Sequence, residues 1–125
     1  YYTETYQKAL DKMFNEELNL VFGNAKYGIN LKSFEKVFSE IALFGYGYFS
    51  VRAFRKNVLY VESHNNIFVN EYKSFFGKIG VGNDIFMKEF FKVLLKNLFN
   101  TNAEVKNSVE NKVGGSSSLI SVINF

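Results

Sequence analysis

His64 and Glu62 stand two residues apart in a stretch of alternating apolar positions, so an imidazole and a carboxylate share one strand face. That is half of a metal site. A stable site needs three or four donors, and the chain offers no Cys, one His and only two Asp, Asp11 and Asp84. We expect a surface His, no metal and no cofactor. No nucleophile–base or acid–base pair can be assembled from these residues, so no catalytic residue is assigned and the protein is expected not to be an enzyme. Gly77-Lys78-Ile79-Gly80-Val81-Gly82 precedes a helix, but its glycines match neither Gly-x-Gly-x-x-Gly nor the P-loop. It reads as a connector, or in a ligand-binding protein as a lid. Lys88, Lys92 and Lys96 form a stripe that fits a solvated helix face as well as an acidic partner.

The remaining composition favours burial over reactivity. Fifteen Phe and eight Tyr occur among 125 residues, enough for one domain over residues 1–125 with one aromatic-rich core. The charge surplus is only +3, and just two of the cations are Arg, the side chain that best grips phosphate and guanine, so direct nucleic-acid contact is not expected. Without Cys there are no disulfides or thiolate metal sites. No run of eighteen apolar residues and no signal peptide is visible, so no membrane contact and a cytoplasmic location are expected. The chain starts without Met, and we expect it to be a piece of something longer.

The elements that must position these residues follow from periodicity. Tyr6, Leu10, Met13, Phe14, Leu18, Val21 and Phe22 recur at three- and four-residue spacing and predict a helix from Thr5 to Phe22, capped by Thr3 or Thr5 and closed by Gly23-Asn24. Asn30 or Ser33 opens a second helix that turns Phe34, Val37, Phe38, Ile41 and Phe44 inward and ends at Gly45. Residues 65–82 form a long connection with room for a helical turn at Asn70–Phe76. The strongest helix runs from Asp84 to Phe99, started by Asn83 or Asp84. Lys88, Glu89, Lys92 and Lys96 occupy one polar arc, and most of the remainder is apolar. So wide an apolar surface needs cover on two sides, by a sheet and by another layer or subunit, which makes this the central helix.

Between the second and third helices lies a hairpin whose register can be argued. Phe49, Val51 and Ala53 alternate on one face of its first strand, and Leu59 and Val61 on one face of its second. Opposed residues share a face, so odd positions must meet odd ones. A three-residue loop, Arg55-Lys56-Asn57, satisfies this, with Asn57 left-handed, Ala53 opposite Leu59 and Val51 opposite Val61. Tyr48 then lies across from His64, and the outer face carries Tyr48, Arg52, Tyr60, Glu62 and His64, with Arg52 opposite Tyr60 as a cation–π pair. Val105, Val109 and Val113 mark a third strand and Leu119–Phe125 a fourth, joined by Gly114-Gly115-Ser116-Ser117. The expected fold is α+β, an antiparallel four-stranded sheet with helices on one face, in the order ααββαββ.

That order, the Gly45-Tyr46-Gly47 step into Tyr48-Phe49-Ser50-Val51, the hydrophobic helix after Gly82 and the closing segment Val113–Val122 together resemble the 4-vinyl-reductase-like domain, a relative of the core subunits of the TRAPP vesicle-tethering complex. The likeness runs from about Asn30 onward. Family members often carry Cys on each side of the last turn. Those positions here are Asn111 and Leu119 if Gly115 is the turn glycine, or Glu110 and Ser118 if Gly114 is, so no cysteine-dependent role carries over. The resemblance implies a ligand-sensing or dimerising regulatory domain, with an apolar small molecule held between helices and sheet and homodimers formed through helices.

Two functional expectations result. The first is a non-enzymatic regulatory domain that binds an apolar or aromatic small molecule, forms a homodimer and serves transcription regulation. Its pocket would be lined by Phe49, Val51, Val61, Phe86, Phe90 and Leu94, the residues facing the space between sheet and central helix. The alternative is a scaffold or assembly module of the vesicle-tethering type, with no ligand pocket and the aromatic surplus placed on an interface.

Overall fold

Leu10, Phe14, Leu18 and Phe22 follow one another at four-residue intervals, and in the computed structural model they form the buried stripe of α1 (Tyr2–Phe22). The structure describes residues 2–43, 48–64, 81–111 and 117–125. The helix begins ahead of Thr3 and Thr5, which lie inside it, so neither is its cap. Its other end is as expected: Gly23 adopts φ 60° and its N–H bonds the Asn19 carbonyl at 2.9 Å. Asn30 caps α2 (Leu31–Leu43), its Oδ1 accepting the Ser33 N–H at 2.9 Å. Phe34, Val37, Phe38 and Ile41 are buried along it. Phe44 and the expected stop at Gly45 lie outside the described residues, as do the turn at Asn70–Phe76 and Gly114 to Ser116.

The hairpin β1 (Tyr48–Arg55) and β2 (Val58–His64) differs from expectation at its tip. Arg55 pairs with Val58 across a two-residue turn in which Lys56 (φ 50°) and Asn57 (φ 63°) are both left-handed, the type I′ geometry that matches strand twist. Phe54 therefore faces Leu59, and Ala53 faces Tyr60. A bulge between Val51 and Ala53 then absorbs one residue and restores Val51 opposite Val61 and Tyr48 opposite His64. The expected pairing of Ala53 with Leu59 is thus corrected. The reason lies in what gets buried. The bulge turns Phe54 inward instead of Ala53, and its ring packs 5.2 Å from Phe34 and 5.9 Å from Phe125. Burying a phenyl ring contributes about 1.5–3 kcal/mol, far more than a methyl. Since Lys56 tolerates the left-handed region poorly, replacing Lys56-Asn57 by Asn-Gly should raise stability by about 1 kcal/mol. A higher urea midpoint would show it, and an unchanged or lower one would refute the turn geometry.

The third helix, α3 (Val81–Phe99), starts before Asn83 and Asp84, so these residues and Gly82 lie within its first turn rather than ahead of it. It leads to β3 (Glu104–Asn111) and β4 (Ser117–Asn124). The sheet order is β1-β2-β4-β3, antiparallel throughout. On its inner face the Ser121 hydroxyl donates to Asn107 Oδ1 at 2.6 Å, fixing the β3–β4 register from within. The architecture is α+β in the expected element order. α2 packs on β1 and α3 on β3, and among the described elements α1 comes closest to α3. The central helix is therefore covered by sheet on one side and by α1 on the other. No helix among the described residues is long and apolar enough to cross a membrane.

Candidate functional site

The six side chains assigned to an apolar pocket lie in or against one buried cluster. Phe49 stacks 5.9 Å from Phe90 and meets Phe91 edge-on at 5.9 Å. Phe14 of α1 meets Phe86 at 5.0 Å and Phe90 at 5.2 Å. Val61 and Leu94 are fully buried in the same cluster, with Val51 and Phe86 half-buried against it. These are edge and stacked contacts of the kind that hold a core.

Polar chemistry gathers elsewhere, in the seam between α1 and α3. Glu89 lies in the polar arc of α3, where solvent was expected, yet it is only 6% exposed. α1 covers it. Gln7 Nε2 donates to Glu89 Oε1 at 3.2 Å, Asp11 lies against the same carboxyl, and Lys92 Nζ stands 3.8 Å from Oε1. Burial, with Asp11 as hydrogen-bond partner and neighbouring charge, pushes the Glu89 carboxyl up to about 7, against the opposing pull of Lys92 and Gln7. Oδ1 of Asp11 is buried with no N–H or O–H group to receive. A cleft of about 210 Å³ opens onto the pair, with Lys92, Lys96 and Asn102 on its other walls. Two exposed lysines of the expected stripe thus frame a carboxyl pair rather than an evenly solvated face. Sequence reasoning missed the pair because Gln7 and Asp11 become informative only when α1 is known to lie on α3.

The outer sheet face carries a second polar feature. Arg52, the bulge residue, directs Nε and Nη2 onto Oε2 of Glu62, which is only 4% exposed although it points away from the helices. The expected Arg52–Tyr60 cross-strand pair gives way to this ion pair, since the bulge sets Ala53, not Arg52, opposite Tyr60. Glu62 is thereby engaged by a guanidinium, and no group of three metal-type ligands gathers among the described residues. Around the pair the face is mixed, with Ser50 and Ser108 set among Ala53, Tyr60, Ile120 and Val122. Tyr60 lies between Ala53 and Val122, and Glu62 between Ser50 and Ile120. Tyr60 is 38% exposed beside half-buried Val122, and Tyr48, across from His64 at the other end of the hairpin, is 65% exposed.

Compared with protein-family models and with curated proteins, the chain matches none.

Proposed function

We propose that this chain is a non-enzymatic assembly module that forms a homodimer through the outer face of its sheet. One observation carries the reading: Phe49 and Phe90 stack where a pocket was expected, while Tyr48 and Tyr60 stand exposed at separate points on the side of the sheet away from the helices, Tyr60 beside Val122. Tyrosine is well suited to such a place, since its ring buries area and its hydroxyl stays satisfied at the rim. A second copy suits the face because Glu104 and Lys106, exposed two apart on β3, present both signs of charge at its margin. A two-fold axis would set each against its opposite, as a self-complementary surface requires. The sensing alternative would need Phe49, Phe86 and Phe90 to part.

Light scattering on a sizing column should give twice the 14.4 kDa chain mass at micromolar concentration. Tyr60→Glu should weaken the dimer at least about 30-fold, the loss typical of a central anchor residue. A monomer at 100-fold higher concentration sinks the proposal. Native mass spectrometry then separates the alternatives, since a co-purified apolar compound would add mass to each chain.

A further inference from the structure

The seam described above joins α1 to the rest of the molecule, and three observations bear on how firmly. Among the described elements α1 comes closest to α3. The seam sets buried Glu89 against half-buried Asp11 near the N-terminal half of α1, and the buried Oδ1 of Asp11 lacks a donor. A cleft leads from solvent to that point, so protons can come and go without unfolding. A single proton between Glu89 and Asp11 resolves the arrangement, because it removes one negative charge and gives a buried carboxylate oxygen its donor.

We propose that the α1–α3 seam is a pH-sensitive clasp, closed by a proton shared between Glu89 and Asp11 and loosened when that proton leaves. Among the described residues, the charged and polar neighbours of the pair oppose the proton. Lys92, 3.8 Å away, and the Gln7 amide favour the ionised form, and Lys96 stands in the cleft wall. They soften the repulsion but leave two carboxylates in contact, and burial dominates the balance. The C-terminal half of α1 has separate anchors. Asn97 Nδ2 bonds Asn15 Oδ1 at 2.5 Å, and Lys26, just past the helix, bonds the Asn97 carbonyl. Leu18 and Phe22 are also buried there. Loosening should therefore start at residues 4–14 and leave 15–22 docked, a local opening rather than loss of the fold.

Amide hydrogen exchange on the whole chain, corrected for intrinsic rates, tests this between pH 5.5 and 8.5. Protection of residues 4–14 should fall about ten- to a hundredfold relative to α3 as pH rises, the range set by the part of the rise from 4.5 to about 7 that falls within this pH window. Protection of 15–22 should track α3. In Glu89→Gln the fall should vanish, and Asp11→Asn should flatten it likewise, so either variant that folds reports the role of the pair. Equal protection of residues 4–14 at both pH values in the wild-type chain overturns the proposal. So does a pH response that persists in Glu89→Gln or in Asp11→Asn.

Discussion

Phe90→Ala should destabilise the fold by about 3–5 kcal/mol, a large share of the roughly 5–15 kcal/mol available to a domain of this size. The ring is fully buried and joins all three layers: it meets Phe14 of α1 at 5.2 Å, Phe49 of β1 at 5.9 Å and its own neighbour Phe91 at 5.7 Å. Removing it takes away buried apolar area and leaves a void that rings on three elements cannot all move to fill. Phe86 is a useful control. It is half-buried where Phe90 is fully buried, so Phe86→Ala should cost clearly less. Urea unfolding followed by far-ultraviolet dichroism gives both values. A loss below about 1 kcal/mol for Phe90→Ala would mean that the three layers do not meet at this ring.

The second large effect is one of pH. The ordinary Glu value is 4.5, and burial beside Asp11 raises that of Glu89 to about 7 in the folded chain. Below 4.5 the group is protonated whether the chain is folded or not, and it adds no pH dependence. Between 4.5 and about 7 the folded chain keeps a proton that the unfolded chain has shed, so stability falls as pH rises. Above that range the loss is complete and constant. At about 1.4 kcal/mol per tenfold step the full effect is about 3 kcal/mol, and solvent at the cleft mouth reduces it to about 2. Glu89→Gln keeps the shape and removes the charge. It should match the wild type at pH 5 and exceed it by about 2 kcal/mol at pH 8, which is about 8 °C or more in melting midpoint. Parallel stability–pH curves for the two chains would show that Glu89 is not held protonated.

The layout of elements was legible because each of them shows one period over a sufficient length. The stripe from Leu10 to Phe22, the run from Phe34 to Ile41 and the wide apolar surface of the third helix all required a partner, and the order of partners followed. The errors fall where a choice depends on a neighbour. Both Ala53 and Phe54 are apolar, and alternation along β1 alone selects Ala53; the Phe34 and Phe125 rings waiting on the inner face select Phe54. Glu89 sits among lysines on a helical wheel and looks solvated, because the wheel carries no information about α1. Helix starts were set too late at Thr5 and Asp84, since polar residues suited to a cap are also tolerated in a first turn. Of the candidate pocket, the placement of Phe49, Val61, Phe90 and Leu94 between helix and sheet was legible. Which rings stack there, Phe49 on Phe90, was not, because packing depends on rotamers and not on spacing.

The bulge at Arg52 has a consequence for how copies of this chain can meet. β1 is an outer strand of the sheet, and a regular outer strand is a template on which another chain can extend the sheet indefinitely. Here the ladder is interrupted midway, and a charged side chain stands at the interruption, tied across to Glu62. Edge-on growth toward a fibre is obstructed along that border. The same irregularity that turns Phe54 inward therefore also blunts this edge against the addition of a further strand.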